Sequence, residues 1–257
     1  MFEETKVELF SLSVFAVTIP AVVFAGVSKG GFGSGVAFAS SSILALIIDP
    51  ALAVALMLPL LMLIDVASLP TYWKKWDWPA AKVLMIGAVP GTFMGAYFFS
   101  IANPDMIRMV IGLVCVFFVL WQAAQKYGLI RLREARFGAK TGLISGVALG
   151  FTSFVSHAGG PAAAVYLLGQ GLSKGTYQAT TVLVFWAVNF FKAGFYASMG
   201  IFTRETLLLD LALIPFALIG TWIGIRAHDY VSDRVFFGIT YVALTFTGAK
   251  LVWDALT

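Results

Sequence analysis

The sequence predicts an all-α polytopic membrane protein made of two homologous repeats. Each repeat is expected to be a glycine-broken helical hairpin followed by three transmembrane helices. Three observations carry the prediction. Hydrophobic residues make up 60% of the 257-residue chain and charged residues only 12%, with a mean hydropathy of +0.91; a water-soluble domain is about half apolar and a quarter charged. Apolar runs of about 20 residues, enough to cross hydrocarbon, recur near 7–27, 51–72, 80–100, 106–126, 138–156, 175–199, 204–225 and 234–253. Two shorter apolar pieces, near 35–48 and 161–171, each follow a glycine-rich break, "GVSKGGFGSG" (26–35) and "HAGGP" (157–161).

The first run follows "MFEETKVE", an acidic leader, where a signal peptide has a basic one and a small-residue cleavage site. A retained membrane segment is therefore expected. If helical throughout, residues 7–48 would extend about 63 Å at 1.5 Å per residue, too far for one crossing. Each break should instead turn the chain back as a hairpin. Ser40, Ser41 and Ser42 read as hydroxyls bonded to their own helix. In "YWKKWDWPAAK" (72–82) the tryptophans Trp73, Trp76 and Trp78 sit beside lysines, as interfacial anchors do. Cys115, the only cysteine, has no partner for a disulfide or a thiolate metal site, and packing is its expected role.

The chain repeats itself. At an offset of 124, Gly26 matches Gly150, Ser28 matches Thr152, Gly35 matches Gly159, Asp65 matches Asn189 and Tyr72 matches Tyr196. "GTFMG" (91–95) returns as "GTWIG" (220–224). These matches divide the chain into a first repeat, 1–125, a linker, 126–140, and a second repeat, 141–257. The linker is the most basic segment and is expected to be cytoplasmic, as is the lysine-bearing loop at 72–82. Charge alone fits inverted and parallel repeats equally; the hairpin length favours inversion, with both termini outside.

Broken backbone at membrane depth is tolerated where it is buried in protein or lines a cavity. Pro161 suits the first turn of a helix. The half-helix that follows would direct its N–H groups and positive dipole end at whatever occupies the break, which makes an anion site. Two such breaks in corresponding halves point to a transporter's midplane site. Lys29 supplements the first; Ser153, Ser156 and His157 supplement the second. Lys192 lies inside an apolar run with Asn189 three residues before it, on nearly the same helical face. Asp65 holds Asn189's place in the first half. Ionisable groups at this depth are costly and face a partner or a cavity; a Lys192–Asp65 pair is the plainer reading. Asp65 and His157, whose ordinary titration lies near neutral pH, are the coupling candidates.

"GVSKGGFGSG" and "SFVSHAGGPAAAVYLLGQGLSKGTYQATTVLVFWAVNFFK" resemble the sulfite exporter TauE/SafE family of membrane permeases, and the resemblance extends over essentially the whole chain. It implies about eight spans arising from a duplication, and movement of small sulfur oxyanions or organosulfonates, often outward. It places Ser28, Lys29, Gly30 and Gly31 in one half of the site. His157, Gly159, Gly160 and Pro161 fall in the other, joined by Asn189 and Lys192. One departure stands out: "VAFASSSILAL" lacks the proline that many members carry after the first motif, so the first half-helix is expected to begin less sharply.

The expected function is secondary transport of a small sulfur-containing anion across a bacterial cytoplasmic membrane. No G-x-x-x-x-G-K-[ST] is present, so a proton or sodium gradient, or downhill flow, must supply the energy. An intramembrane enzyme is the second class. Ser156 beside His157 suggests nucleophile and base, but adjacent residues on a helix do not face each other. "GVSKG" (26–30) matches G-x-S-x-G but follows an apolar helical run and so makes no strand-to-helix elbow, and H-E-x-x-H is absent, so an enzyme is not expected. The expected partners are the bilayer and a small anion; no nucleic acid, metal or other cofactor is expected. An anion channel, a permease for another carboxylate or oxyanion, and a non-transporting assembly subunit stay open.

Overall fold

A computed structural model describes residues 9–32, 36–129, 137–227 and 233–257. The acidic leader, the tip of the first break at 33–35 and residues 130–136 of the basic linker lie outside the described residues. The described residues form ten α-helices: α1 (Leu12–Val27), α2 (Ala39–Leu44), α3 (Pro50–Tyr72), α4 (Trp78–Ile101), α5 (Pro104–Lys126), α6 (Ala139–Ser156), α7 (Gly160–Leu168), α8 (Lys174–Ser198), α9 (Arg204–Ala227) and α10 (Asp233–Asp254). A π turn, Ser28–Phe32, continues α1.

Local chemistry sets the helix starts. Asp49, Asp77, Asn103 and Ser173 accept hydrogen bonds from first-turn N–H groups of α3, α4, α5 and α8. Proline in the first turn of α3, α4 and α5 needs no N–H there. Such caps are worth about 1 kcal/mol each.

Among the described residues, seven helices are long and apolar enough to cross a membrane: α1 with its π turn, α3, α4, α5, α8, α9 and α10. This is an integral membrane protein, and its large exposed side chains, such as Phe117, Leu120, Trp222 and Phe246, face where lipid would lie. The eighth expected span, α6, is 18 residues long and carries Gly142, Gly146, Gly150 and several hydroxyl residues. That composition lowers its apolarity because α6 is a packing helix. A Cβ on Gly91 of α4 would stand 2.1 Å from the Val147 carbonyl oxygen of α6, and one on Gly150 2.2 Å from that of Ala88. Small residues let membrane helices approach this closely. The α1–α9 seam is built alike: Cβ atoms on Gly26 and Gly220 would stand 2.6 Å from the Thr221 nitrogen and 2.4 Å from the Val23 oxygen. In both seams the contacts advance in the same direction along the two helices, so each pair runs parallel.

α3 and α8 form the centre, with 61% and 56% of their most apolar stretch buried, against 28% for α5 and 33% for α10. The short helices fold back. Ser40 Oγ donates to the Ala21 carbonyl of α1 at 2.7 Å. Gly142 at the base of α6 faces the ring of Tyr166 in α7, and Gln170 Nε2 donates to the Phe137 carbonyl at 3.0 Å. With six and nine residues, α2 and α7 reach about 9 and 14 Å, too short to cross.

The serine run departs from its expected role. Ser41 and Ser42 do bond back to the Phe38 carbonyl. Ser40, however, ties α2 to α1, and Ser41 also reaches the Ser156 carbonyl of the second break at 3.1 Å. Cys115 is buried and donates to Ser42 Oγ at 3.3 Å, in keeping with a packing role.

Candidate functional site

The first break stays helical further than its glycines suggest. Ser28, Lys29, Gly30 and Gly31 lie within the π turn, the form in which single-turn distortions of α-helices accompany functional sites. Gly30 and Gly31 lie against Thr221 and Gly224 of α9, where a Cβ would stand 2.6 and 2.1 Å from carbonyl oxygens. The winding brings the Lys29 side chain inward, to 2% exposure. Its ammonium sits 2.6 Å from Asp65 Oδ1 on α3 and 3.5 Å from the Leu61 carbonyl. Gln178 Nε2 of α8 donates to the Lys29 carbonyl at 2.9 Å, and the Tyr72 hydroxyl to the Gly30 carbonyl at 3.0 Å.

The second break is a sharp turn. α6 ends at Ser156, and His157 adopts φ 57°, a left-handed conformation that costs a non-glycine residue roughly 1–2 kcal/mol. Its N–H returns to the Ser153 carbonyl at 3.0 Å, and that of Ala158 to the Thr152 carbonyl at 3.2 Å, closing the helix end. α7 then starts at Gly160 with no side-chain cap and with Pro161 in its first turn. Ser156 Oγ donates into its own helix, to the Thr152 carbonyl at 2.9 Å.

This turn positions the histidine ring. Nε2 lies 2.8 Å from the Val54 carbonyl of α3, which can only accept, so Nε2 carries the hydrogen. Nδ1 is then the acceptor for the Lys192 ammonium, 2.7 Å away. Lys192 also donates to the Ser153 carbonyl at 2.8 Å and approaches Ser153 Oγ at 3.4 Å. It is fully buried. Among the described residues no carboxylate comes within ion-pair distance of it; Asp65 pairs with Lys29, not with Lys192. The reason is geometric: Asn189, one turn before Lys192, fills the space beside Asp65 and donates to its Oδ2 at 3.0 Å.

The structure thus brings together Lys29, Asp65 and Asn189, and beside them Lys192, Ser153 and His157. Asn189 and Lys192 link the groups through α8, and Lys29 acts electrostatically on both Lys192 and His157. Every one of these side chains is buried, so the site is closed. Gly31 and Ser156 point elsewhere, into the α9 seam and into α6; Gly159 lies against Phe185 and Leu149. Sequence reasoning missed Gln178 and Ser41, which hold break carbonyls from other helices. It left undecided Tyr196, whose hydroxyl donates to the Phe154 carbonyl at 2.5 Å. The signal for the tyrosines was present in the offset: Tyr72 with Gly30 and Tyr196 with Phe154 are the same bond made twice.

Neither the curated proteins nor the solved structures include a match. The family model described as Sulfite exporter TauE/SafE matches residues 18–251, which span both breaks, both lysines and all seven crossing helices in whole or in large part. The chain belongs to the sulfite exporter TauE/SafE family, a family of membrane transporters whose usual location is the bacterial inner membrane.

Proposed function

We propose that the protein is a secondary transporter that exports a small sulfur-containing anion, sulfite or an organosulfonate such as sulfoacetate, bound between the two breaks. The observation that carries this reading is the buried Lys192 ammonium without a carboxylate. Lys29 and Asp65 cancel each other, and His157 is neutral in the hydrogen-bonding pattern it adopts. The cluster therefore holds one positive charge in excess, and a buried charge needs a partner. A sulfonate offers three acceptor oxygens, which suit Lys192, Ser153 Oγ and the uncapped N–H groups of α7. Asn189 gives a further donor. Gly30 and Gly31, packed on α9, and Gly159, packed on Phe185 and Leu149, hold the two breaks in place around the ligand with Ser28 and Gly160, and Ser156 supports the turn from behind.

Asp65 then acts as an internal stand-in for the anion. When substrate reaches Lys29, Asp65 is released to receive the coupling ion, a proton or sodium, with His157 as the alternative acceptor. With substrate bound, the charge of the anion offsets the excess positive charge of the cluster.

The halves are read as inverted repeats about a pseudo-two-fold axis in the membrane plane. Four observations support this: the fold-back of both hairpins, the matching α1–α9 and α4–α6 seams, the repeated tyrosine bond, and the Asp65–Asn189 contact across an offset of 124. A residue that touches its own counterpart lies on the axis. Inversion puts the 72–82 loop and the 126–140 linker together on the cytoplasmic side.

The test is efflux from liposomes loaded with sulfite or sulfoacetate. The wild-type protein is expected to release both, and Lys192→Met neither. Release by Lys192→Met at the wild-type rate would remove the site assignment.

A further inference from the structure

The seam between α3 and α9 holds a carboxyl with no role in the site described above. Asp210 is 5% exposed, and neither of its oxygens has a hydrogen-bond partner. It opens into a cavity of about 270 Å³ lined by Pro59, Leu60 and Leu63 of α3 and by Leu207, Leu211 and Ile214 of its own helix. Pro59 has no N–H to offer. Thr206, one turn earlier on α9, gives its hydroxyl to the Thr203 carbonyl at 3.0 Å. No titratable or charged side chain faces Asp210 from these elements. α1, the other helix on this face of α9, carries no titratable residue at all, and Lys29 of the π turn is committed to Asp65.

An ionised carboxylate in such surroundings is heavily disfavoured, because nothing replaces the water it loses. A single carboxyl among leucines also lacks the additional oxygens that a sodium or calcium ion requires. A proton needs only the carboxyl itself. The space around Asp210 lies between α3 and α9, so a shift of α3 against α9 changes its exposure. Opened to water, the group ionises; shut, it holds a proton. The place on α4 that corresponds to Asp210, counted from the paired Gly-Thr motifs, is Ala81, so the arrangement occurs once in the chain.

We propose that Asp210 is a proton-carrying site, protonated in the closed form and released when the α3–α9 seam opens, and that it moves the one proton of each transport cycle, Asp65 then receiving sodium. The coupling part rests on the transporter reading above; the protonation part does not.

Two measurements on the full-length protein in lipid test it. The first is infrared spectroscopy of the protonated-carboxyl stretch at neutral pH in water and in deuterium oxide. Wild type is expected to show a deuterium-sensitive band that Asp210→Asn lacks and Asp210→Glu retains at a shifted position. A spectrum unchanged in Asp210→Asn would overturn the proposal. The second uses liposomes with an internal pH dye and a sulfoacetate gradient. Asp210→Asn is expected to keep sulfoacetate exchange but lose sulfoacetate-driven proton movement, which Asp210→Glu retains. Proton movement by Asp210→Asn at the wild-type rate would overturn the proposal. If wild type moves no sulfoacetate, the anion reading fails, and the infrared band still decides whether Asp210 carries a proton.

Discussion

At the first break the Lys29 ammonium sits 2.6 Å from a carboxylate. At the second, Lys192 meets a carbonyl, a hydroxyl and a neutral imidazole. The two lysines do not occupy equivalent positions. At the repeat offset Lys29 corresponds to Ser153, and Lys192 to Ser68. Each half therefore supplies one lysine to the centre, from the break in the first and from the central helix in the second. The decisive difference is a single position, Asp65 against Asn189. Near-symmetric scaffolding with one carboxylate fewer pairs the lysine at one break with a carboxylate and leaves the lysine at the other without one among the described residues.

Breaking the ion pair should have the largest effect. Lys29→Met strands Asp65 in the membrane interior, and losing one partner of a buried pair costs roughly 3–5 kcal/mol. Lys192→Met strands only the acceptors at His157 and Ser153, at roughly 1–3 kcal/mol. Thermal unfolding in lipid should rank Lys29→Met below Lys192→Met. The double variant Lys29→Met with Asp65→Asn should recover most of the loss. Equal losses for the two single variants would erase the contrast between the breaks.

The seams come next. Gly31→Ala and Gly91→Ala each push a methyl group to about the same short distance from a carbonyl oxygen, 2.1 Å in both. Overpacking of this kind costs roughly 1–3 kcal/mol, and the two variants should lose similar stability. A harmless substitution at one seam alone would show that the halves are packed differently.

The smallest effects concern the tyrosines. Tyr72→Phe and Tyr196→Phe each remove one hydrogen bond to a break carbonyl, at about 1 kcal/mol apiece. Hydrogen exchange at Gly30–Gly31 and at Phe154–Val155 should rise locally in the matching variant. Exchange that rises in both places for either variant would mean that the breaks open as one unit.

Much of this was legible in the sequence, because composition, run length and glycine spacing report directly on membrane crossing and on breaks. The offset matched Asp65 to Asn189, although nothing in it said that the two side chains touch. Less legible was how the first break is wound. Glycine marks freedom in the backbone, but contact with α9 is what converts Ser28–Phe32 into a π turn. Pairing was misleading too: Asp65 and Lys192 look like natural partners until Asn189 is seen to stand between them. Asp210 gave no signal, since one acidic residue near a helix start, "RETLLLD", reads as a dipole-compensating charge. Its isolation depends on α3, which is distant in the chain.

The most direct test of the excess charge at the second break is titration calorimetry of purified protein with sulfoacetate and with taurine. Taurine carries the same sulfonate but has an ammonium in place of the carboxylate of sulfoacetate, and that ammonium meets Lys192 and Lys29 with like charge and finds only Asp65 to oppose them. Wild type is expected to bind sulfoacetate more tightly than taurine, and Lys192→Met is expected to lose sulfoacetate binding. Equal affinity for the two ligands, or undiminished sulfoacetate binding by Lys192→Met, would contradict the assignment of Lys192 as the anion's partner.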